Sequence, residues 1–479
     1  METSKPTLTR RELLVLAGCV GASTLAPAAA FAEEDSDPHN DINTPPNPER
    51  MLTSVEEPAA STFSAGPSWS TSEVDANLKA FLDGNANTYL DPAYKVIDVS
   101  EHNGVIDWNT VKESGVDGAI IRLGFGSDRA DYQLKNNITA CNTLGIPYGV
   151  YLYSYAYNAT MAADEANFTA DLIEQYGCTP KLPVFYDLEK WVWTGHEPPS
   201  DVKTYDAIVR QYCSTLSGRG YNNVRVYSYR SYLNDVLKSD YIWERAAWAA
   251  EYGSATLKFE NPYFDGCLAW QYTSTGAVSG VAGNVDINAF PPFYKFAFGD
   301  VTAKTEHHED IWWLAGNDIS TGFPDGTFRG MSAVARQDMA AFLYRIAGSP
   351  SYTVSDEDAG RFSDISSKTP HCKEIWWLGH TGVSTGFPDG TFRGMSAVAR
   401  QDMAAFLYRI AGSPSYTPSA EDKRRFIDVT SDTPHCKEVW WLGHTGVSTG
   451  FPDGTFRGMS AVARQDMAAF LKRIHGLMQ

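Results

Sequence analysis

The chain is 479 residues long, 43% hydrophobic and 20% charged, with a net charge of −19. This length exceeds what one ordinary hydrophobic core holds, so the sequence predicts two or more globular domains. The acidic balance disfavours nucleic acid and anionic membrane surfaces as partners, because both repel a negatively charged protein.

The first 32 residues have the three parts of an export signal. Arg10 and Arg11 precede an apolar segment over residues 13–32, which ends in Ala30-Phe31-Ala32. The pattern resembles a twin-arginine signal, so residues 1–32 are predicted to be removed on export to the cell wall. Leu16-Ala17-Gly18-Cys19 is the competing signal, since it resembles a lipobox that would keep the protein lipid-anchored at Cys19. No later apolar run approaches the ~18 residues that a membrane span needs.

Residues 33–90 are predicted to form an acidic linker. The part up to about residue 70 is rich in Pro, Ser, Thr and Asn, as in Asn43-Thr44-Pro45-Pro46-Asn47-Pro48. Such a composition buries too little apolar surface to offset the entropy of ordering. A short helix is predicted over residues 72–83, just before the folded part begins.

Residues 91–297 alternate short apolar runs with helical stretches. Eight strands are predicted, at 96–99, 118–123, 148–153, 184–187, 224–228, 247–250, 268–271 and 285–287. Helices are predicted at 108–114, 131–144, 159–176 and 201–219. Apolar strands separated by helices are typical of a parallel sheet, and eight of them predict an α/β, TIM-like barrel. The barrel is expected to be irregular, because the last strands have no full helices between them.

Residues 298–479 form a tandem repeat with copies at about 298–361, 362–425 and 426–479. Pairs of tryptophans recur every 64 residues, starting at Trp312, Trp376 and Trp440. Each copy is predicted to have a helix with the Trp pair, a Pro-Asp-Gly turn and a second helix, which starts at about Ser332 in the first copy. Three copies are the usual minimum for a stacked array, so an all-α module is expected.

Two acids beside the strand at 184–187 give the first indication of chemistry. Strand side chains alternate, so Asp187 and Glu189 are expected to point to one side and Leu188 to the other. Paired carboxylates suit cleavage of a glycosidic bond, although salt-bridge partners or helix-capping acids give the same pattern. Further polar and aromatic residues lie at or near strand ends, where an α/β barrel carries its functional face. They are Asp98, Arg122, Tyr153, Tyr155, Trp270, Gln271, Tyr272 and Asp286. Aromatic rings together with acids and amides are typical of a sugar site.

The same residues carry a resemblance to a known family. The run from Ile97-Asp98-Val99-Ser100-Glu101-His102-Asn103-Gly104 to Trp108 resembles the opening motif of glycoside hydrolase family 25, the lysozymes (muramidases) of bacteria and phages. The similarity continues through Asp187-Leu188-Glu189 and Trp270-Gln271-Tyr272, and ends at 283–288. One departure is His102-Asn103-Gly104, where the family often has Gln-Gly.

This resemblance implies hydrolysis of the β-1,4 bond between N-acetylmuramic acid and N-acetylglucosamine in peptidoglycan, with no cofactor. It assigns the general acid to Glu189 and supporting carboxylate roles to Asp98, Asp187 and Asp286. Chemistry agrees for Glu189, since a proton donor must be protonated near neutral pH and neighbouring carboxylates raise its pKa. Asp187 is expected to stabilise positive charge or to orient the N-acetyl group of the substrate.

The repeats resemble S-layer homology domains in Phe362-Ser363-Asp364-Ile365, Trp376-Trp377-Leu378 and the segment 386–392. That resemblance implies a three-lobed helical module that binds a secondary polymer of the cell wall. Arg336, Arg400 and Arg464 occupy equivalent positions and are expected to bind an acidic polymer. The family's usual Thr-Arg-Ala-Glu is replaced by Ala-Arg-Gln-Asp at 399–402, and a repeat built only for packing is the alternative.

The sequence as a whole predicts a secreted, wall-associated peptidoglycan hydrolase held on the wall by its repeats. The alternative is a catalytically weak wall-binding or structural protein with a lectin-like barrel, and a third is a hydrolase of another amino-sugar polymer. No metal site is predicted, because His371-Cys372 and His435-Cys436 lack a metal-binding spacing. Disulfides are open among the barrel cysteines, which are Cys141, Cys178, Cys213 and Cys267.

Overall fold

The structure, a computed structural model, describes residues 45–48, 66–257 and 269–479. The predicted signal peptide, the alternative lipid anchor at Cys19 and most of the first half of the predicted linker lie outside the described residues. None of the helices in the described ranges is both long and apolar enough to cross a membrane.

Eleven strands form one continuous sheet in the described part of the chain. They are β1 (Ser68–Thr71), β2 (Lys79–Leu82), β3 (Thr88–Val99), β4 (Gly118–Phe125), β5 (Arg129–Ala130), β6 (Tyr148–Tyr153), β7 (Val184–Asp187), β8 (Val224–Tyr229), β9 (Ala246–Ala250), β10 (Ala269–Gly276) and β11 (Val285–Phe290). Eight of them, β3, β4 and β6 to β11, close into a barrel, because β3 pairs with β4 on one side and with β11 on the other. The predicted eight-stranded barrel is confirmed, and each predicted strand overlaps one of these eight.

The last strand departs from the predicted parallel order. Seven barrel strands run parallel, whereas β11 runs antiparallel to both of its neighbours. Only residues 277–284 join β10 to β11, which is too short for a crossover helix, so the two strands pair as a hairpin. Asp286 of β11 consequently lies opposite Asp98 of β3 in the ladder.

Helices cover the outside of the barrel between successive strands. The four predicted helices are α1 (Trp108–Glu113), α2 (Leu134–Leu144), α3 (Ala159–Gln175) and α4 (Val202–Gly218), and two short ones follow β8, α5 (Arg230–Asp235) and α6 (Asp240–Arg245). Asp107, Asn158 and Asp201 cap α1, α3 and α4 by accepting hydrogen bonds from backbone N–H groups of the first turn. These caps satisfy donors that a helix leaves unpaired at its start, which explains where the helices begin.

Alternation along the strands separates an outer core from the barrel interior. Outward residues such as Leu152 and Tyr186 pack under the helices, and inward residues such as Phe185 and Trp248 fill the interior. Inward positions become polar towards the carboxyl ends of the strands, where Val96 is followed by Asp98, Ile120 by Arg122 and Phe185 by Asp187. The sequence period of two therefore places the polar residues together at one end of the barrel.

Residues 66–90 contain strands, so the prediction of a linker up to residue 90 with a short helix over 72–83 is wrong for this region. β1 and β2 pair antiparallel and extend the first half of β3. Phe81 is fully buried against Trp69, Trp270 and Tyr272. Burial of these rings against a surface supplied by β10 stabilises the extended hairpin, a contact that the local composition does not reveal.

The barrel cysteines are not paired with one another where they are described. Cys141, Cys178 and Cys213 carry free thiols, and Cys267 lies outside the described residues. Burial raises the pKa of the Cys141 and Cys178 thiols to about 12, which keeps both in the unreactive thiol form.

Each repeat contains a helix with the Trp pair and a second, longer helix, as predicted. The helices of this region are α7 (His308–Gly316), α8 (Arg336–Ile346), α9 (Asp356–Ala359), α10 (Cys372–His380), α11 (Arg400–Ile410), α12 (Cys436–His444) and α13 (Arg464–Met478). The Trp pairs lie on α7, α10 and α12, and their first members are buried.

The three repeats close into a ring. Backbone bridges join Ala333 to Ala463, Ala335 to Ala397 and Ala399 to Ala461. The second helix of each repeat packs on the Trp helix of the next, so α8 meets α10, α11 meets α12 and α13 meets α7. The second helix starts at Arg336 and not at about Ser332 as predicted, because residues 332–335 are extended to form these bridges.

The ring is attached at the amino ends of the barrel strands. Arg225, near the start of β8, is buried and donates hydrogen bonds to the backbone carbonyls of Phe298, Gly299 and Val301 at 3.0–3.2 Å. Three hydrogen bonds from one buried guanidinium fix the chain where it leaves the barrel. The repeats and the polar end of the barrel interior therefore lie at opposite ends of the barrel.

Candidate active site

A cavity of about 90 Å³ opens at the carboxyl ends of the barrel strands. It is lined by Pro48, Asp98, Val99, Ser100, His102, Asn103, Arg122, Tyr151, Tyr153, Asp187, Glu189, Tyr227, Tyr229, Trp248, Tyr252, Gln271, Ser274 and Asp286. The structure thus brings together the four carboxylates and three of the six sugar-binding residues singled out from the sequence, Arg122, Tyr153 and Gln271.

Asp187 and Glu189 face this cavity from the end of β7, whereas Leu188 packs outward in the core under the helices. Both carboxyl groups are almost fully buried, with 4% and 7% of the residue exposed. The Tyr229 hydroxyl donates a hydrogen bond to Oε2 of Glu189 at 3.1 Å, and no described residue donates one to Oδ1 of Asp187. Oε1 of Glu189 is therefore the oxygen available to carry a proton toward the cavity.

Burial is the main cause of the unusual acidity of this pair. It raises the pKa of Glu189 to about 7, against the opposing hydrogen bond from Tyr229, and the charge of Asp98 adds to the rise. Burial, followed by the charges of Glu189 and Asp98, also raises the pKa of Asp187 well above its usual range. Because each carboxylate disfavours ionisation of the other, the pair retains a proton close to neutral pH.

Asp98 is held by amide groups from two other strands. Its Oδ2 accepts hydrogen bonds from Nε2 of Gln271 at 2.9 Å and from Nδ2 of Asn288 at 2.8 Å. Tyr227 and Tyr252 donate to Oε1 of Gln271, which fixes the orientation of its amide. These hydrogen bonds fix the position of the Asp98 carboxyl group beside Asp187 and Glu189.

Several aromatic residues of the cavity were not among the predicted site residues. Tyr227 and Tyr229 alternate along β8, and Trp248 and Tyr252 alternate along and just beyond β9. The period-two pattern of these strands, applied from Asp98 and Asp187, would have found them. Their rings contribute aromatic surface to the lining of the cavity.

Two predicted sugar-binding residues lie elsewhere. Trp270 is fully buried on the outer face of β10, where it donates to the carbonyl of Glu251 and packs on Phe81. The side chain of Tyr272 lies on the same face of β10 as that of Trp270, and its hydroxyl accepts a hydrogen bond from Trp69. Neither ring lines the cavity, because the hairpin of β1 and β2 covers that face of the strand, so the structure does not bring these two predicted residues together with the others.

Tyr155 belongs to a separate aromatic cluster beside the cavity. It packs against Tyr153, Trp191 and Trp193, and its hydroxyl donates a hydrogen bond to the carbonyl of Pro46 at 2.8 Å. The cluster extends the wall of the cavity away from the carboxylates. Tyr155 therefore lies next to the opening and not in its lining.

Arg122 forms a charged cluster at the edge of the cavity. Its Nε donates to Asp131 at 2.8 Å, and its Nη2 lies 3.2 Å from Oε1 of Glu101. Asp131 also accepts the backbone N–H of Glu101, which ties the loop after β3 to β4. The arginine side chain is only 3% exposed, so its two anionic partners offset the cost of its burial.

The arginines predicted to bind a wall polymer are largely buried within the ring. Arg336, Arg400 and Arg464 are 4–5% exposed, and each donates from Nε to a backbone carbonyl at 2.8–2.9 Å. Each also approaches an aspartate of another repeat, at 3.2–3.7 Å. A groove of about 160 Å³ reaches Arg336 together with Ser384, Thr385, Gly386, Phe387, Asp402, Ala405, Phe406, Arg409 and His435. Most of the hydrogen-bonding capacity of these arginines holds the repeats together, and one face of Arg336 reaches the groove.

Comparison with known families gives a match that falls within the barrel. The model of the family described as Glycosyl hydrolases family 25 matches residues 97–281. These bounds run from the start of the Asp98 motif to the loop between β10 and β11, and they contain every residue that lines the cavity except Pro48 and Asp286.

Individual relatives are similar over part of the chain. An autolytic lysozyme of Clostridium acetobutylicum is 28% identical over 196 residues, which are 41% of this chain and 55% of that protein. Lysozyme M1 of Streptomyces globisporus is 27% identical over 297 residues, 59% of this chain and 91% of its own. The solved structure of the modular autolysin LytC of Streptococcus pneumoniae is 40% identical over 47% of this chain and 52% of that one, with a TM-score of 0.44. The chain thus spans about half the length of the first of these lysozymes.

Proposed function

We propose that this chain, whose residues 97–281 match the model of glycosyl hydrolases family 25, hydrolyses peptidoglycan between N-acetylmuramic acid and N-acetylglucosamine. The observation that carries the proposal is the buried Glu189, protonated up to about pH 7 in a cavity that also holds Asp98, Asp187 and Asp286. A carboxyl group that keeps its proton near neutral pH can donate it to the oxygen of a leaving sugar.

The neighbouring groups have complementary tasks in this mechanism. Glu189 donates its proton to the glycosidic oxygen as the bond breaks, and positive charge develops on the sugar that remains. Asp98, held by Gln271 and Asn288, keeps a negative charge close to that sugar. Asp187 has a free Oδ1 that can hold the N-acetyl group of the substrate, and Asp286 completes the acidic wall from β11.

The identity of the cleaved bond is tested by the ends that are released. Purified peptidoglycan is digested with the protein, and the reducing ends are identified by mass spectrometry. Muramic acid at the new ends is the expected result. Glucosamine ends would show that a different bond is cleaved, and binding without release would favour the lectin-like alternative.

The pH dependence of the reaction follows from the raised pKa of Glu189. The acid form of Glu189 is the active one, so kcat/KM is expected to fall as the pH rises through about 7. An ordinary glutamate would place this fall near pH 4.3. Initial rates on soluble peptidoglycan fragments, measured from about pH 4 to about pH 9 at constant ionic strength, locate the midpoint. A midpoint below about pH 5 would contradict the assignment of the acid.

We infer a second task for the ring of repeats, which is to hold the enzyme on the wall by binding a secondary polymer. The groove that reaches Arg336 carries Arg409 and His435 against the single acid Asp402, so it suits an anionic chain. Residence on the wall raises the local concentration of substrate. For the protein to reach the wall, the signal at residues 1–32 directs its export.

A triple substitution in the full chain tests this attachment. Changing Arg345, Arg409 and Arg473 to glutamine removes one positive charge at equivalent positions of the three repeats. Binding of the inactive Glu189→Gln protein to pelleted walls is expected to weaken by about tenfold, or ~1.4 kcal/mol. Glutamine at Arg361, Arg424 and Arg425, which lie on the exposed surface of the repeats, is the matched control. Equal binding by both triple variants would argue that the repeats serve only for packing.

A further inference from the structure

A short segment ahead of the barrel lies across the edge of the catalytic cavity. Residues 45–48 have the sequence Pro-Pro-Asn-Pro, and both Pro45 and Pro48 are buried. Pro48 lines the cavity that contains Glu189, and Pro45 lies against Gly126, at the end of β4. The segment is therefore part of the cavity wall in this structure, although it belongs to a region with the composition of a linker.

The backbone of the segment is held at two points. The Tyr155 hydroxyl donates to the carbonyl of Pro46 at 2.8 Å, and Nε2 of His102 lies 3.0 Å from the carbonyl of Pro48. With three prolines in four residues, the segment has few conformations to lose on binding. These two bonds therefore suffice to place Asn47 between them.

The side-chain amide of Asn47 is recognised at both of its polar atoms. Its Nδ2 donates to Oε1 of Glu101, and its Oδ1 lies 3.4 Å from Nη2 of Arg122. A carboxylate for the N–H and a guanidinium for the carbonyl are the two partners that a planar amide requires. The pocket thus offers partners for a neutral amide and does not require a charge on its ligand.

Both side chains of this pocket are also held by partners within the barrel. Glu101 also accepts the backbone N–H of Tyr132 at 2.8 Å, and Arg122 is fixed by Asp131. The side chains of Arg122 and Glu101 are 3% and 10% exposed. These exposures include the cover that residues 45–48 provide, so Asn47 completes the hydrogen bonds of a largely buried charge pair.

Pro48 occupies part of the space beside Glu189 that a substrate would use. The cavity measures about 90 Å³, whereas pockets for small ligands usually have ~300–1,000 Å³. Because Pro48 and Glu189 line the same small cavity, we expect a sugar bound against Glu189 to displace Pro48, and with it Asn47. Peptidoglycan carries amides in its acetamido groups and in its peptide stems, and either can take the place of the Asn47 amide.

We propose that Glu101 and Arg122 form an amide-binding subsite of the cleft, which the chain's own Asn47 fills until substrate displaces it. This inference rests on the proposed hydrolysis of peptidoglycan for its substrate, and on the contacts of residues 45–48 for the site. The segment then acts as an intramolecular competitor that lowers the apparent affinity for substrate without touching the chemistry.

Substitution of Asn47 by alanine in the full chain is the first test. The variant is expected to lower KM on peptidoglycan by about three- to tenfold with kcat unchanged, since hydrogen bonds to charged groups contribute ~1.5–3 kcal/mol and part of this is recovered by water. Asn136→Ala, at an exposed position of α2, is the matched control. An unchanged KM, or the same change in both variants, would overturn the proposal.

Glu101→Gln tests whether substrate uses the same subsite. This variant is expected to raise KM, and Asn47→Ala introduced into it is expected to have no further effect, because occupant and substrate share the partner. Two modified substrates separate the sources of the amide, de-N-acetylated glycan and glycan freed of its peptide stems. A Glu101→Gln effect that vanishes on one of them identifies the bound amide, and an effect that persists on both contradicts the subsite.

A binding measurement keeps the test independent of hydrolysis. The peptide acetyl-Pro-Pro-Asn-Pro-amide is titrated into the Asn47→Ala, Glu189→Gln protein, and the ring protons of His102 are followed by NMR. A saturable shift with this peptide, and none with its Asn→Ala analogue, supports the subsite even if peptidoglycan proves not to be the substrate. No shift with either peptide would overturn the subsite even if peptidoglycan is cleaved.

Discussion

Replacing Glu189 with glutamine is expected to lower kcat on peptidoglycan by about 10³-fold, within the ~10²–10⁴ that general acid catalysis contributes. The amide has nearly the same shape and can still accept the hydrogen bond from Tyr229, but it has no acidic proton for the leaving oxygen. KM is expected to change little, because the substrate contacts of the cavity remain. Release of soluble fragments from purified walls, measured at about pH 6 where the wild-type acid is protonated, gives both constants.

The matched control is Glu197→Gln, an exposed glutamate in the loop after β7. It removes the same charge from the same loop and is expected to retain wild-type rates. Thermal unfolding of both variants separates a loss of chemistry from a loss of fold. Retention of more than about a tenth of the wild-type kcat by Glu189→Gln would assign the proton donor to another group.

Asp98→Asn is expected to lower kcat by about 10²-fold and to move the alkaline limb of the pH profile to lower pH. The charge of Asp98 helps to raise the pKa of Glu189, so its removal lowers that pKa and Glu189 loses its proton earlier as the pH rises. Asparagine keeps an oxygen that can accept from Gln271 and Asn288, so the local geometry is retained. The pH dependence of kcat/KM for both proteins measures the shift.

Asp128→Asn serves as the control for this second variant, since Asp128 is exposed in the turn between β4 and β5. Its pH profile is expected to coincide with that of the wild type. If the Asp98→Asn profile kept its alkaline midpoint, the raised pKa of Glu189 would have to come from burial alone. A loss of rate without a shift would assign Asp98 to charge stabilisation only.

The cavity and the ring of repeats lie at opposite ends of the barrel, which bears on the two proposed tasks of the protein. The catalytic cavity opens at the carboxyl ends of the strands, and Arg225 holds the ring of repeats at the amino ends. An enzyme bound to the wall through the repeats would therefore present its cleft away from the point of attachment. We therefore expect its targets to be glycan strands away from that point, and not the polymer that is bound.

Local patterns in the sequence determined most of the barrel and the central pair of acids. The alternation in Val-Phe-Tyr-Asp-Leu-Glu places Phe185, Asp187 and Glu189 on one face, because a strand has a period of two wherever it is paired. Short apolar runs predicted all eight strands of the barrel, and helix caps such as Asp201 agree with the predicted starts of the helices. These features depend on neighbours within a few residues, which the sequence displays directly.

Only the tertiary structure decided the features that depend on distant contacts. Trp270 and Tyr272 turn away from the cleft because a hairpin from residues 68–82 covers them, and β11 is antiparallel because its connection is short. Arg336 is buried because another repeat supplies its partners, and Asn47 is ordered by Glu101 and Arg122. In each case the free energy comes from surfaces far apart in the chain, so the residue types alone do not indicate which of them meet.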